Sequence, residues 1–175
     1  MERKVDEKLL ERIRNGDKGA FEEFASAAMP RLYRAAFRLL RDHDASEEVV
    51  QMTLIRFLDN IHRIKPGSVW GWLYRVASNL ATDELRRASR KLELKEEVLS
   101  AQTPDPADAI HRRELAESVR SAIGRLGTKS KAVVLMRMDG FSYSEIAREI
   151  GVSEGSARVL FLKAIRKLAT MVEAT

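Results

Sequence analysis

The sequence predicts an all-α protein built as two small helical units joined by a linker, and three observations predict it. The 175-residue chain is rich in Ala, Leu, Arg and Glu and holds only four prolines; these are residue types that lose little on entering a helix. Pro104 and Pro106 fall together in the acidic, small-residue stretch EEVLSAQTPDPADAI, residues 96–110, where a continuous helix cannot run. Beyond that break, FSYSEIAREIGVSEGSARVLFLKAIRKL from Phe141 to Leu168 has the caps, turn glycine and apolar spacing of a helix-turn-helix. The units are therefore 1–95 and 111–175. Each is small enough that docking of one unit on the other, or on a partner, is expected.

The first unit parses into helices over 5–14, 17 to about 40, 44–63 and 69 to about 94. Asn15-Gly16-Asp17 ends the first and caps the second, and Pro30 predicts a kink or break inside that second helix. Asp44 or Ser46 caps the third. Lys65-Pro66-Gly67-Ser68 is a tight loop before the fourth. The second unit gives helices over 111–124 and 128–138, then the two of the motif. There Ser142 and Glu145 form a capping box, Gly151 ends the first helix, and Ser153 caps the second. Tyr143, Ile146, Ile150, Val152, Ala157 and Leu160 supply the buried positions, with Ala147 and Gly151 at the close approach. This is the geometry with which DNA readers place a helix in the major groove.

Two helix faces are not needed for a core. On the third helix Val50, Leu54, Phe57, Leu58 and Ile61 form the core stripe, and the opposite face carries Glu48, Gln51, Met52, Ile55 and Asp59. Met and Ile among carboxylates on the wet side suit a protein partner; the alternative is scattered surface apolar residues. On the fourth helix Val69, Leu73, Val76 and Leu80 form the stripe, with Trp72 at its margin. Beside it Arg75, Asn79, Thr82 and Arg86 recur at i, i+4, i+7 and i+11. That row offers guanidiniums for phosphate or guanine and an amide for a base edge, and Arg87, Arg90 and Lys91 extend the charge. Trp70 beside the Lys65–Ser68 loop offers an aromatic platform next to pliable backbone, as holding an unstacked base requires. The alternatives are a solvated face for the arginines and core packing for the tryptophans, the latter favoured for Trp72.

Charge and composition bound the chemistry. A net charge of +5 with a pI near 9.6 suits a polyanion without requiring one. No cysteine is present, which removes disulfides, thiol catalysis and thiolate metal sites. His43, His62 and His111 have no ligand spacing, and no P-loop or nucleophile elbow occurs, so no enzyme, cofactor or metal site is expected. No apolar run approaches a membrane span and the N-terminus lacks a signal-peptide core, so a cytoplasmic protein is expected.

Taken in order, GDKGAFEEF, RLYRAAFRLL, ASEEVVQMTLIRF, VWGWLYRVASNLATDELRR and the terminal helix-turn-helix resemble the extracytoplasmic-function (ECF) class of bacterial RNA polymerase sigma factors, over nearly the whole chain. The resemblance implies a promoter-melting domain (1–95), a linker (96–110) and an upstream-element domain (111–175). It implies that Glu47, Glu48, Gln51, Met52, Ile55 and Arg56 meet the clamp coiled coil of the polymerase's largest subunit. It places Lys65, Ser68 and Trp70 around a flipped base of the −10 element, with Arg75, Asn79, Thr82, Arg86 and Arg87 flanking it. The second domain would dock on the flap tip, with Ser153, Glu154, Ser156, Arg158, Val159 and Lys163 at the −35 major groove. An anti-sigma factor, in many relatives membrane-linked, is the implied regulator. Two departures stand out: Val159 and Leu160 follow Arg158 where relatives often carry a polar or basic pair, and Met52-Thr53 replaces an acidic-Thr pair. Val159 either makes an apolar base contact or marks a rotated helix. The competing class is a stand-alone helix-turn-helix regulator, against which stands the lack of a heptad seam for dimerisation.

Overall fold

The computed structural model describes residues 5–93 and 118–173, all of whose regular elements are helical. The expected linker, 96–110, lies outside the described residues, as do residues 111–117 of the fifth expected helix. In the first unit, α1 spans Glu7–Arg14, α2 Lys18–Leu40, α3 His43–Asn60 and α4 Val69–Glu93, with a single 3-10 turn over Pro66–Ser68 before α4. In the second, α5 covers residues 118–124, α6 Thr128–Met138, α7 Tyr143–Ile150 and α8 Glu154–Glu173.

Local chemistry sets most of these boundaries. Gly16 turns the chain at φ 81° and Asp17 accepts from the Ala20 amide to start α2; that hydrogen bond and the Arg12 guanidinium hold the Asp17 carboxyl below its ordinary range. The third helix starts earlier than expected. Asp42, not Asp44 or Ser46, caps it by accepting from the Ala45 amide, because Arg41 turns left-handed at φ 54° and ends α2 one residue before. Ser46 is instead buried, its hydroxyl donating to the Asp42 carbonyl. Pro30 does not break α2, which runs continuously through it. The residue is exposed, so water can take the carbonyl bond that its missing N–H leaves open.

α2, α3 and α4 pack around one core, with α1 laid on α2. Phe24 and Phe57 stack at its centre with ring centroids 4.5 Å apart, a geometry worth about 0.5–1.5 kcal/mol beyond the area it buries. Val50, Leu54, Phe57 and Ile61 are buried as expected, but Leu58 is 40% exposed. Its place is taken by Val49 and Thr53; the Thr53 hydroxyl is satisfied by the Val49 carbonyl at 2.7 Å, so a polar residue fits there without cost. Arg14 donates to the carbonyls of Ile61 (3.3 Å) and Ile64 (2.8 Å), tying α1 to the loop that leads into α4.

The two units dock through α4, which packs against α6 and α7. Gly71 makes the approach possible. A Cβ there would lie 2.8 Å from the Glu149 carbonyl carbon and closer still to its oxygen, so α4 and α7 meet backbone to backbone. Glu149, only 2% exposed, accepts from the Gly71 amide at 3.2 Å. Burial pushes the Glu149 carboxyl up to about 7, against the downward pull of the Gly71 and Trp70 amides and of Arg148, with Glu145 adding to the rise.

Gly71→Ala is expected to separate the units without melting either, since overpacking by one methyl against backbone costs about 1–3 kcal/mol at a contact that cannot yield. Small-angle scattering should report a larger radius of gyration while circular dichroism stays unchanged. The pH dependence has a definite sign. Between the ordinary carboxylate range and about 7 the docked form keeps a proton that the separated form releases, so docking is strongest at low pH and weakens as pH rises through that window. Glu149→Gln should flatten this dependence, leaving the radius of gyration the same at about pH 5 and about pH 8.

Candidate nucleic-acid and polymerase interface

The residues singled out for function fall into three places. On α3, Glu47, Glu48, Gln51, Met52, Ile55 and Arg56 are all exposed and share one side of the helix, opposite Val50 and Phe57. Beside them α2 and α3 enclose an apolar groove of about 550 Å3 lined by Met29, Pro30, Tyr33, Arg34, Glu47, Val50 and Gln51. This face combines accessible apolar groups with carboxylates, and no described element covers it.

On the second unit the helix-turn-helix forms as expected. Ser142 accepts from the Glu145 amide while the Glu145 carboxylate accepts from the Ser142 amide at 2.7 Å, a reciprocal cap worth about 1 kcal/mol. Gly151 closes α7 at φ 71° with nothing within 4 Å of a built Cβ; its role is the left-handed turn, not the close approach expected of it. Ser153 accepts from the Ser156 amide at 3.1 Å to start α8. Ser153, Glu154, Ser156, Arg158, Val159 and Lys163 are exposed. Arg158 donates to Glu154 at 3.3 Å and lies 5.1 Å over the Tyr143 ring, so its guanidinium is held at the leading end of α8. Val159 is 49% exposed and faces outward; Leu160, expected to be buried, is half-buried, and its neighbour Phe161 packs against the core instead.

The third place, the polar row of α4, departs from the open face that helical periodicity predicts. Lys65, Arg86 and Arg87 are exposed, but Ser68, Arg75 and Asn79 are half-buried and Thr82 is buried. Trp70 is 5% exposed. It lies in the seam between the units, with Phe24 on one side (centroids 6.4 Å), Phe141 on the other (6.2 Å) and the Arg31 guanidinium 5.4 Å over its ring. Its indole N–H finds no acceptor among the described residues. Trp72 is half-buried, edge-on to Phe57, in agreement with its core assignment. Thr82 donates to the Ser78 carbonyl and accepts from the Lys131 ammonium at 2.8 Å; Thr128 reaches Asn79 at 3.5 Å. The second unit thus covers part of the face that sequence periodicity assigns to DNA.

Three residues that anchor this seam have no counterpart in the sequence analysis: Asp139, Glu149 and Lys131. The Asp139 side chain is 1% exposed, and Arg38 meets it at 2.6 Å and Arg34 at 3.5 Å, while the Tyr74 hydroxyl donates to its other oxygen. Burial, then Asp139, raises the Tyr74 phenol above its ordinary value, so it stays a donor. The signal for Glu149 was available: it lies three residues after Ile146 and one before Ile150, on the face that α7 buries. Lys131 opens the run KAVVLM, whose apolar residues are all buried.

Residues 9–91 match the Sigma-70 region 2 family and residues 116–168 the Sigma-70, region 4 family. Among individual proteins, the chain is 33% identical over 151 residues to the ECF RNA polymerase sigma factor SigE of Mycolicibacterium smegmatis, covering 82% of this chain and 59% of that longer protein. It is 30% identical over 152 residues to the ECF RNA polymerase sigma factor EcfG of Rhodopseudomonas palustris, covering 83% of this chain and 81% of that protein. Against the RNA polymerase sigma factor CarQ of Myxococcus xanthus it is 29% identical over 93% of this chain and 95% of the other. The fold is also that of CnrH in the structure of CnrH in complex with the cytosolic domain of CnrY, with a TM-score of 0.58 at 24% identity over 95% of this chain and 96% of that chain. Two family domains in the order that the helices and the helix-turn-helix predict, with relatives alike over most of their length, establish the family: this chain belongs to the ECF group of the sigma-70 family of RNA polymerase sigma factors.

Proposed function

We propose that this chain is a promoter-specificity subunit that engages core polymerase through α3, reads and melts the −10 element through α4 and its preceding loop, and reads the −35 element through the leading end of α8. The observation that carries the reading is the α3 face: Met52 and Ile55 stand 37% and 51% exposed among carboxylates, on a helix whose other side is fully committed to the core. The clamp coiled coil of the polymerase's largest subunit fits that chemistry, an apolar centre with an acidic rim. The flap tip is the partner of the second unit, and residues 96–110 join the promoter-melting domain, 1–95, to the upstream-element domain, 111–175.

The chain does no covalent chemistry in this reading; it supplies binding energy that offsets unstacking at a few base pairs. It acts beside the polymerase in the cytoplasm. The docked arrangement is its DNA-free form, since Trp70 and Thr82 must come out of the seam to meet a base or phosphate. An anti-sigma factor that holds the units in such a form is the regulator, and membrane sequestration through that partner is its natural extension; among the described residues no helix of this chain is long and apolar enough to cross a membrane.

The decisive experiment is run-off transcription with core polymerase on a promoter library. Met52→Glu combined with Ile55→Lys should leave circular dichroism unchanged and weaken polymerase capture more than about tenfold, as loss of a hot-spot pair does. Normal capture by the folded double variant would remove the α3 assignment, and tight sequence-specific binding by the chain without polymerase would favour a stand-alone regulator. At the other end, Arg158→Ala should cost about 1–3 kcal/mol and relax preference at one −35 position, measured by promoter competition.

A further inference from the structure

The seam holds a second feature that the family assignment does not use. Between the C-terminal half of α4 and the start of α6 lies a polar cavity of about 370 Å3, lined by Asn79, Thr82, Asp83 and Arg86 from the first unit and by Gly124, Arg125, Leu126, Gly127, Thr128 and Lys131 from the second. Its size is at the small end of ligand pockets. Among the described residues that line it, three cations face one carboxylate, Asp83, which lies 3.6 Å from Arg86. The Arg125 side chain pairs with nothing among the described residues.

Lys131 is the informative member. It is 5% exposed, and among the described residues its ammonium donates to neutral oxygens, Thr82 Oγ1 at 2.8 Å and the Gly124 carbonyl at 3.5 Å. No carboxylate lies within ion-pair distance of it among the described residues. A buried charge without a counter-ion is costly, and burial, followed by the nearby Arg86, lowers the Lys131 ammonium from its ordinary range, with Asp83 pulling the other way. Against the same cavity stands the start of α6, where the N-cap is Gly127 and no side chain caps the first turn. Its amides and the positive end of the helix add to the field of the cations.

We propose that this cavity binds a small diphosphate-bearing anion, gripped by Arg86 from one unit and by Arg125, Lys131 and the first turn of α6 from the other, and that its binding holds the two units docked. The anion supplies the close counter-charge that Lys131 does not find among the described residues, where Asp83 acts on it only from beyond ion-pair distance, and because its ligands come from both units it stabilises the closed arrangement by mass action. Diphosphate chemistry has two sources, a free small molecule and the backbone of nucleic acid. The first is proposed, since the lining comes from both units around one cavity of about 370 Å3, which suits a compact anion held between them rather than a strand running past. Anion binding is independent of the reading given under Proposed function; its consequence, competition with promoter DNA for Asn79, Thr82 and Arg86, rests on that reading.

Calorimetry on the full chain with inorganic pyrophosphate, at constant ionic strength against a chloride control, tests the site without polymerase or transcription. One saturable site is expected, with affinity reduced about tenfold in Arg125→Ala, the loss of one charge-assisted contact. It should fall further in Arg125→Glu, an exposed position at which folding is not at stake, and be unchanged in Lys18→Ala, an exposed lysine at the start of α2 that does not line the cavity. Lys131→Met should abolish binding. Scattering should show a particle no larger with pyrophosphate than without, and a single-stranded oligonucleotide should fail to displace it unless the particle expands. Four results would overturn the proposal: no binding above the chloride control, binding that survives Arg125→Glu, equal loss in Lys18→Ala, or an oligonucleotide that displaces pyrophosphate while the particle stays compact. Because no step needs promoter or polymerase, failure here leaves the sigma-factor assignment standing, and failure of run-off transcription leaves the binding result standing.

Discussion

The contact at Gly71 is the constraint on which the rest of this structure depends. Only a residue without a Cβ lets α4 and α7 meet backbone to backbone, and once they do, the Glu149 side chain has no route to water. It takes the Gly71 amide instead. The same approach brings Phe141 onto Trp70, sets Asp139 among Arg34, Arg38 and Tyr74, and lets Lys131 reach Thr82. Each of these polar contacts is satisfied across the seam and would be costly to leave half-made. The docked geometry is thus specified closely, even though ion pairs of this kind add little net stability over a dry apolar contact.

That chemistry separates the seam from the cores it joins. Phe24, Leu32, Leu39, Phe57 and Leu73 in the first unit make an interior that opens only by unfolding. The seam mixes aromatic rings with a buried acid, a buried lysine and an arginine-carboxylate cluster, all of which water can solvate when the units part. Interfaces of this polarity between domains commonly permit relative motion. α4 therefore has two faces, one that closes a core and one that packs against the second unit; in the function proposed above the latter is the face that would meet DNA. The α3 face and the leading end of α8 remain exposed while the two units are docked.

Protonation adds a term to the same balance. The raised Glu149 carboxyl and the lowered Lys131 ammonium both follow chiefly from burial in the docked arrangement. They respond in opposite ways: Glu149 is better tolerated neutral, whereas Lys131 is better tolerated beside an anion. The closed arrangement is consequently sensitive to its ionic surroundings at two points along the face of α4 that meets the second unit, near Gly71 and near Thr82.

Much of the architecture was legible in the sequence because the signals were local. Helix ends followed from side chains that satisfy amides within a few residues, as at Asp17, Ser142 and Ser153, and from left-handed turns at Gly16 and Gly151. The exposed α3 face and the helix-turn-helix followed from periodicity on single helices, and the motif run from Val69 to Arg87 carried the family. Where expectation failed, the cause lay elsewhere in the chain. Arg41 entered a left-handed turn that moved a cap to Asp42, Thr53 could bury itself on the Val49 carbonyl of its own helix in place of Leu58, and Pro30 was harmless because it and Ser26, whose carbonyl it leaves open, both lie at the exposed surface of α2. Trp70, Thr82, Asp139 and Lys131 were decided only by tertiary structure, and Glu149, whose place on the buried face of α7 was legible, found its partner Gly71 only there. Periodicity tells which side of a helix is apolar, but whether a polar side is wet depends on what packs over it, and here that was a unit placed by contacts some 50 to 100 residues apart in sequence.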